Sequence, residues 1–481
     1  MRHISRLLAI TGLLSAVSLV PALPATGAEA APPAGAISDN VEFIANIPEM
    51  KEAISINFIG DTMFVSTVHG VYSFDVTDPA NPQLLAALPM YIWENEDVNV
   101  DPVRKLLFVS RDPRGFTSPA TSGATFPYGA LHIIDVSNAH ALVQLSVTLL
   151  PAGHTSTCVN QCDYIWTGGP YANAQTQPDI VGRPIFATDV RNPLQPVPCP
   201  DPIDTGRNDG VTDYAHDVQV DANGVAWVSG AGGVRGYWTS GDHRNPLTGN
   251  VETATGCKPI PYGGGGTPPN PVEDRFMHNS WRNVNATIPG EDDPTTPGDD
   301  TKGMVLYGTE ENVTTSCTTA GRFATYDLRG SLNGEGWKDI DKTHFRMRVL
   351  DTWWPQNQAG SDGCASAHYF TDRGDGLLAY AFYTQGTRFL DVSNPKDIEQ
   401  IGYFRPDDAN TWAAYWHNGY VFIADNARGV DIVKFNGSSA SPSVSAPAGG
   451  GVQTLRFAKA FGYLCPVHAE TSDRPTTITL G

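Results

Sequence analysis

One phrase recurs along the 481 residues: a short β-branched and aromatic run closed by Asp-Val and a cluster of turn residues. Gly70-Val-Tyr-Ser-Phe-Asp-Val-Thr-Asp-Pro79 is echoed by Gly129-Ala-Leu-His-Ile-Ile-Asp-Val-Ser-Asn138 and by Ile185-Phe-Ala-Thr-Asp-Val-Arg-Asn-Pro193. It returns as Thr387-Arg-Phe-Leu-Asp-Val-Ser-Asn-Pro395 and as Gly429-Val-Asp-Ile-Val-Lys-Phe435. Each copy reads as a strand ended by a turn. A second strand precedes several copies, as in Thr62-Met-Phe-Val-Ser66, Leu106-Leu-Phe-Val-Ser110, Val225-Ala-Trp-Val-Ser229 and Tyr420-Val-Phe-Ile-Ala424, and another follows, as in Gln83-Leu-Leu-Ala-Ala87 and Ile398-Glu-Gln-Ile-Gly402. Three or four short strands per unit, every ~40 to 60 residues and without helical periodicity, predict an all-β, single-domain propeller. Seven units begin near Glu52, Glu96, His154, His216, His278, His368 and Asn410. The segment Val41 to Ile47 is expected to close the ring against the last blade, and blade five to carry an insertion at Asn285 to Lys302.

The ends of the chain read differently. Arg2 and Arg6 precede an apolar run from Leu7 to Val20 and a small-residue site at Ala28-Glu29-Ala30, the pattern of a secretory signal over residues 1–30. The propeller is expected over 31–436, a Ser/Ala/Pro/Gly linker over 437–451 and a tail over 452–481. No later stretch reaches the ~18 apolar residues of a membrane span, so a secreted, soluble monomer is expected. Without the signal, 29 Lys and Arg face 50 Asp and Glu, a net charge of −21 that argues against nucleic acid as a partner. A small molecule, or an extracellular protein or glycan, is the expected partner.

Seven cysteines in an exported chain are expected to pair, leaving one over. The Cys158-Val-Asn-Gln-Cys162 spacing favours a local disulfide over half a zinc site, and Cys465 or Cys199 is the expected free thiol.

The phrases Ile-Ile-Asp-Val-Ser and Phe-Leu-Asp-Val-Ser-Asn-Pro resemble the LVIVD repeat of exported proteins thought to form propellers. The resemblance covers most of residues 50 to 436 and implies the fold. It implies no activity, because that family has no common catalytic motif.

Aligning units by the aromatic of the second strand exposes a recurrent metal-ligand type 11 or 12 residues upstream. His154 stands 12 before Trp166, His216 stands 11 before Trp227, and His368 stands 12 before Tyr380, while His278 opens blade five in the same way. The corresponding residues are Glu52 and Glu96 in blades one and two, and Asn410 in blade seven. Equivalent residues at the start of each innermost strand converge on a propeller's axis. His154, His216, His278, His368, Glu96 and Glu52 are therefore the expected ligands of a transition metal, with iron or copper favoured over zinc. The architecture is similar to the four axial histidines of carotenoid-cleavage oxygenases and to the axial copper histidines of the selenium-binding protein and methanethiol oxidase group. On that analogy the chain is an oxidoreductase acting on a small molecule. The alternative is a non-catalytic extracellular binding or scaffold propeller, with the histidines as a hydrogen-bonded plug in the channel and Trp238, Trp353 and Trp354 as exposed contact residues. His69, His132, His140, His243, His344, His417 and His468 read as structural or surface residues. The acidic run Glu291 to Asp300 reads as a solvated loop before a calcium site, and Gly263 to Gly266 lacks the Gly-Lys-Ser/Thr of a phosphate loop.

Overall fold

The computed structural model describes residues 32–112, 129–169, 184–203, 214–231, 233–245, 248–262, 269–270, 276–312, 321–329, 345–355, 358 and 365–438. The expected signal segment, the tail, and the linker beyond residue 438 lie outside them, as do Cys317, Cys364, Cys465, His344 and His468.

The described chain forms seven four-stranded antiparallel blades in sequence order. Strands Ala53–Ile59, Thr62–Thr67, Gly70–Asp75 and Gln83–Pro89 make blade one from the inside out. The pattern repeats to blade seven, whose inner strands are Thr411–His417, Tyr420–Asp425 and Gly429–Phe435. The outermost strand of blade seven is Val41–Ile47, which pairs with Gly429–Phe435 and so joins the two ends of the ring as expected. The preceding strand, Gly35–Ile37, extends blade six by pairing with Glu399–Pro406. Blades four and five are linked into one sheet by the pairing of Ala231 with Phe276. Apolar clusters between blade faces hold the ring together, one of them filled by Met63, Val65, Phe422 and Ile432 from blades one and seven.

The recurrent phrase has a local physical cause. In blades one, two and six the aspartate ending the third strand accepts a hydrogen bond from the backbone N–H two residues on: Asp75 from Thr77 at 2.9 Å, Asp135 from Ser137 at 2.8 Å, Asp391 from Ser393 at 2.9 Å. A second such turn follows at once, with Asp78 accepting from Ala80, Asn138 from His140 and Asn394 from Lys396. The residue after the aspartate is buried, as Val76, Val136, Val190 and Val392. Its N–H donates to the hairpin carbonyls of Asp61, Lys105, Asp163 and Gly376 respectively. Two consecutive Asx turns around one buried β-branched anchor make the Asp-Val-Ser/Thr-Asp/Asn cluster a device for turning from the third strand into the fourth.

Two disulfides are described. Cys158–Cys162 closes the inner hairpin of blade three, as the spacing suggested. Cys199–Cys257 joins partners 58 residues apart and corrects the expectation that Cys199 is free. The fold brings the short outer strand of blade three, Val197–Pro198, beside the Thr255–Lys258 turn, a proximity that local spacing cannot express.

The insertion of blade five is knit into the surface. Arg329 reaches the carbonyl of Glu291 and the Asp300 carboxylate, each at 3.1 Å, while Asp293 accepts from the Thr295 N–H at 2.9 Å. The aromatics expected to be exposed are not. Trp353 is 4% exposed, Trp238 stacks on His243 with ring centroids 4.0 Å apart, and Trp354 lies under the Arg322 guanidinium. Trp353 packs edge-on against Phe382 of blade six, while the other two rings find partners within their own blade.

Candidate metal centre

The registers define one equivalent position per blade. The second-strand residues Phe64, Phe108, Trp166, Trp227, Tyr307, Ala379 and Phe422 pair with inner-strand residues Asn57, Asn99, Thr157, Gln219, Trp281, Thr371 and Tyr415. Three residues before these stand Ile54, Glu96, His154, His216, His278, His368 and Trp412. In blades one, four, five and seven this residue falls within a break in the ladder, between Ala53 and Ser55, Ala215 and Asp217, Met277 and Ser280, and Thr411 and Ala413. A residue left out of the ladder is free to turn its side chain away from the sheet, here to the axis.

Five of the six expected ligands come together. The Glu96 carboxylate lies 3.2 Å from His368 Nε2, 3.3 Å from His278 Nε2, 3.6 Å from His154 Nε2 and 3.7 Å from His216 Nε2. His154 Nε2 and His216 Nε2 are 2.9 Å apart. Successive imidazole centroids stand at 4.6, 4.3 and 3.9 Å from blade three to blade six. All five side chains are buried.

Glu52 does not join them. Its Oε2 sits 2.8 Å from Nε2 of the exposed His69, and its backbone is left-handed, with φ 66°. The register gives Ile54 in its place and Trp412 in place of Asn410. Blades one and seven turn between their first strands through Gly60-Asp61 and Asn418-Gly419, tighter connections than Pro102 to Lys105 in blade two. A fixed upstream count therefore overshoots by two residues. His368 was reached by compensation, since the true reference in blade six is Ala379, one residue before Tyr380.

Outer contacts fix the rings. Nδ1 of His216 lies 3.1 Å from the His278 carbonyl and Nδ1 of His368 lies 2.6 Å from the Trp412 carbonyl. A carbonyl only accepts, so both Nδ1 atoms carry hydrogen; a neutral His216 then turns the lone pair of its Nε2 to the axis, while Nε2 of His368 is bonded to Glu96 Oε1 at 3.2 Å. His154 Nδ1 is 2.8 Å from Asp112 Oδ2, with Glu94 Oε2 at 3.9 Å behind it. Nδ1 of His278 is buried and has no hydrogen-bond partner among the described residues, while its Nε2 and Glu96 Oε2 face one another at 3.3 Å. Gly169, at φ +104°, supplies the clearance for His154, because a Cβ there would lie 2.2 Å from the His154 Cβ. Neither Gly169 nor Asp112 was singled out in the sequence, as their contacts depend on the register of neighbouring strands.

The electrostatics follow from burial. Burial first, and then the neighbouring imidazoles of His278 and His154, hold His216 well below the ordinary histidine range. His278 is pushed down to about 4, by burial and by His368. Burial raises the Glu96 carboxyl, but His154, His278 and His368 lower it by more, so it stays ionised. The lone pairs of His216 and His278 thus converge on a carboxylate. Buried acceptors facing one another are strongly unfavourable unless a cation lies among them. Imidazole nitrogens about 2.9 Å apart can share an ion at ~2.1 Å bonds, and the donor set suits a transition metal better than calcium or magnesium.

The next layer of the channel is also polar. Gln219 Nε2 lies 3.1 Å from Asp97 Oδ2 and 3.3 Å from Asp217 Oδ2, and it contacts the Tyr369 hydroxyl. Burial raises both carboxyls, and Asp97 raises Asp217 further. The remaining described histidines pack or pair locally: His417 stacks on Phe58 and His132 bonds Gln144. The acidic group Asp292, Asp299 and Asp300 is mostly exposed, and Arg329 already pairs with Asp300.

The sequence matches no family model and no curated protein. Among solved structures, the chain is similar to the periplasmic gluconolactonase PpgL of Pseudomonas aeruginosa, at 13% identity over 84% of this chain and 94% of that one, with a TM-score of 0.49. It is also similar to the WD40 β-propeller domain of Doa1, at 9% identity over 82% and 98% of the respective chains, with a TM-score of 0.47. At these identities and scores the likeness is confined to the course of the chain.

Proposed function

We propose that this chain is an exported metalloprotein in which Glu96, His154, His216, His278 and His368 bind one transition metal ion, iron or copper, on the propeller axis. Such an ion supplies one-electron chemistry, and the role that follows is that of an oxidoreductase for a small molecule. The leader pattern over residues 1–30 and the two disulfides support export, and the Asp-Val phrase keeps its resemblance to the LVIVD repeat.

The observation that carries the reading is the convergence on the axis: Nε2 atoms from four blades lie within 3.7 Å of one buried carboxylate, and Nδ1 of His278 has no partner among the described residues. Asp112 and the carbonyls of His278 and Trp412 hold three of the rings with Nε2 directed at the carboxylate. Neutral His216 and His278 present lone pairs at neutral pH without first releasing a proton.

Metal analysis of the untagged full chain after exposure to iron, copper and zinc tests it. About one tightly held ion per chain is expected. A clearly substoichiometric content with every metal would leave the cluster as a hydrogen-bonded channel plug.

A further inference from the structure

We infer that the proposed metal takes its exchangeable ligand on the side of the ring closed by Ile54 and Trp412. The ligand is a small uncharged molecule with a hydrogen-bond acceptor, of the dioxygen and nitric oxide class. The inference rests on the metal reading above and specifies which molecules that centre admits.

Five adjacent ring positions, in blades two to six, carry ligand-type side chains, whereas blades seven and one offer Trp412 and Ile54. Coordination is therefore one-sided, and the sector without donor atoms is continuous. It is also apolar: Ile54 and Trp412 belong to one buried cluster with Val68, Trp93, Ala365 and Tyr383. Trp412 lies against His368, with ring centroids 5.0 Å apart, and Tyr383 lies at 4.9 Å from the same imidazole. The Tyr383 hydroxyl is engaged with Glu311 Oε1 at 2.6 Å.

The cluster itself carries no cationic side chain, and the Glu96 carboxylate faces the same centre. An anion entering there would gain only from the metal ion, whose charge the Glu96 carboxylate already offsets in part, and would give up its hydration against an apolar wall. A neutral molecule meets no such barrier. Among the described residues, the cluster itself holds one buried donor without a partner. The Trp412 indole N–H is buried, 1% exposed as a residue, and has no acceptor among the described residues. Buried donors are nearly always satisfied, and an acceptor atom on a bound ligand would satisfy this one. Trp93 belongs to the same segment as Glu96, and left-handed Trp93 and Asp97, φ 56° and 55°, bracket the turn that presents the carboxylate. The ligand wall and the anionic ligand are thus set by one stretch of backbone.

The test uses the full chain, loaded with iron or copper, reduced, and assayed for metal content in every sample. Nitric oxide, azide and n-butyl isocyanide are titrated in turn and followed by absorption and electron paramagnetic resonance. The wild-type protein is expected to bind nitric oxide and to bind azide far more weakly. Trp412→Phe should keep its metal and bind nitric oxide several-fold more weakly, because the ring remains and the N–H is gone. Ile54→Ala should keep its metal and bind the bulkier isocyanide at least about tenfold more tightly than wild type. Azide binding as tightly as nitric oxide, or unchanged affinities in both metal-replete variants, would overturn this inference and leave the metal centre standing. A chain that holds no metal would overturn both.

Discussion

At the scale of single residues, the centre depends on groups that are not themselves ligands. Gly169 is the sharpest case, since any side chain there would collide with His154 and its positive φ strains an L residue besides. Gly169→Ala is expected to lower the thermal midpoint and the metal content together, as read by calorimetry and metal analysis on one preparation. Asp112→Ala removes the carboxylate that orients His154 and should weaken metal binding by about 10- to 100-fold with an unchanged circular dichroism spectrum. Glu52→Gln provides the contrast: its partner is His69, and metal affinity should not change. Why the sequence exposed some of these residues and hid others is physical. Glu96, His154 and His216 were legible because the inner hairpins of blades two, three and four have similar lengths, so a fixed count lands on one structural position; His278 opens blade five in the same way without a count, and His368 is met because the one-residue shift from Ala379 to Tyr380 compensates. The count failed at Glu52 and Asn410, where two-residue turns shorten the hairpin, and spacing gave no warning of it. Asp112 and Gly169 act across strands, and neither stands at a recurring interval.

At the scale of the element, the Asp-Val phrase is a pair of Asx turns hung on a buried β-branched anchor. It was readable because each of its parts bonds within a few residues. Asp391→Ala breaks the first of these turns in blade six, and should cost about 1 kcal/mol in denaturant unfolding without altering metal content. His132, in the third strand of blade two, carries a pH prediction. Burial, and then the nearby Arg111, push it down to about 4 against the bond that its Nδ1 donates to Gln144 Oε1, while the unfolded chain would titrate near 6.5. The unfolded state therefore binds the proton more readily. The stability this imidazole contributes is complete above pH 6.5 and is lost as the pH falls toward 4, by about 3 kcal/mol. His132→Gln should flatten the corresponding part of the stability profile, measured by urea unfolding of metal-free protein between pH 4 and 7. A slope equal to that of the wild type would show that the buried ring is not responsible. The disulfide Cys199–Cys257 belongs to this scale too, and its pairing was hidden because 58 residues separate its ends, one in blade three and the other in blade four.

At the scale of the whole molecule, closure of the ring depends on the amino-terminal strand. Val41, Ala45 and Ile47 are buried against blade seven, and the Val41–Ile47 strand saturates the edge of Gly429–Phe435. A chain lacking residues 32–47 is expected to lose its single cooperative unfolding transition, because an open blade edge and an uncovered apolar face remain. Ring closure is also what makes a centre from distant residues: Glu96 and His368 are 272 positions apart in sequence and 3.2 Å apart in space. Seven blades set the radius, one equivalent inner-strand position per blade, bulged in four of them, sets the height, and the sequence decides which positions carry donors. The measurement that tests this most directly is X-ray absorption fine structure on the metal-loaded full chain. Scattering from several imidazole rings together with an oxygen donor is expected in the first shell, and it should be lost in His278→Ala combined with His368→Ala. A shell built of oxygen alone, or one unaffected by that double substitution, would contradict an axial histidine centre.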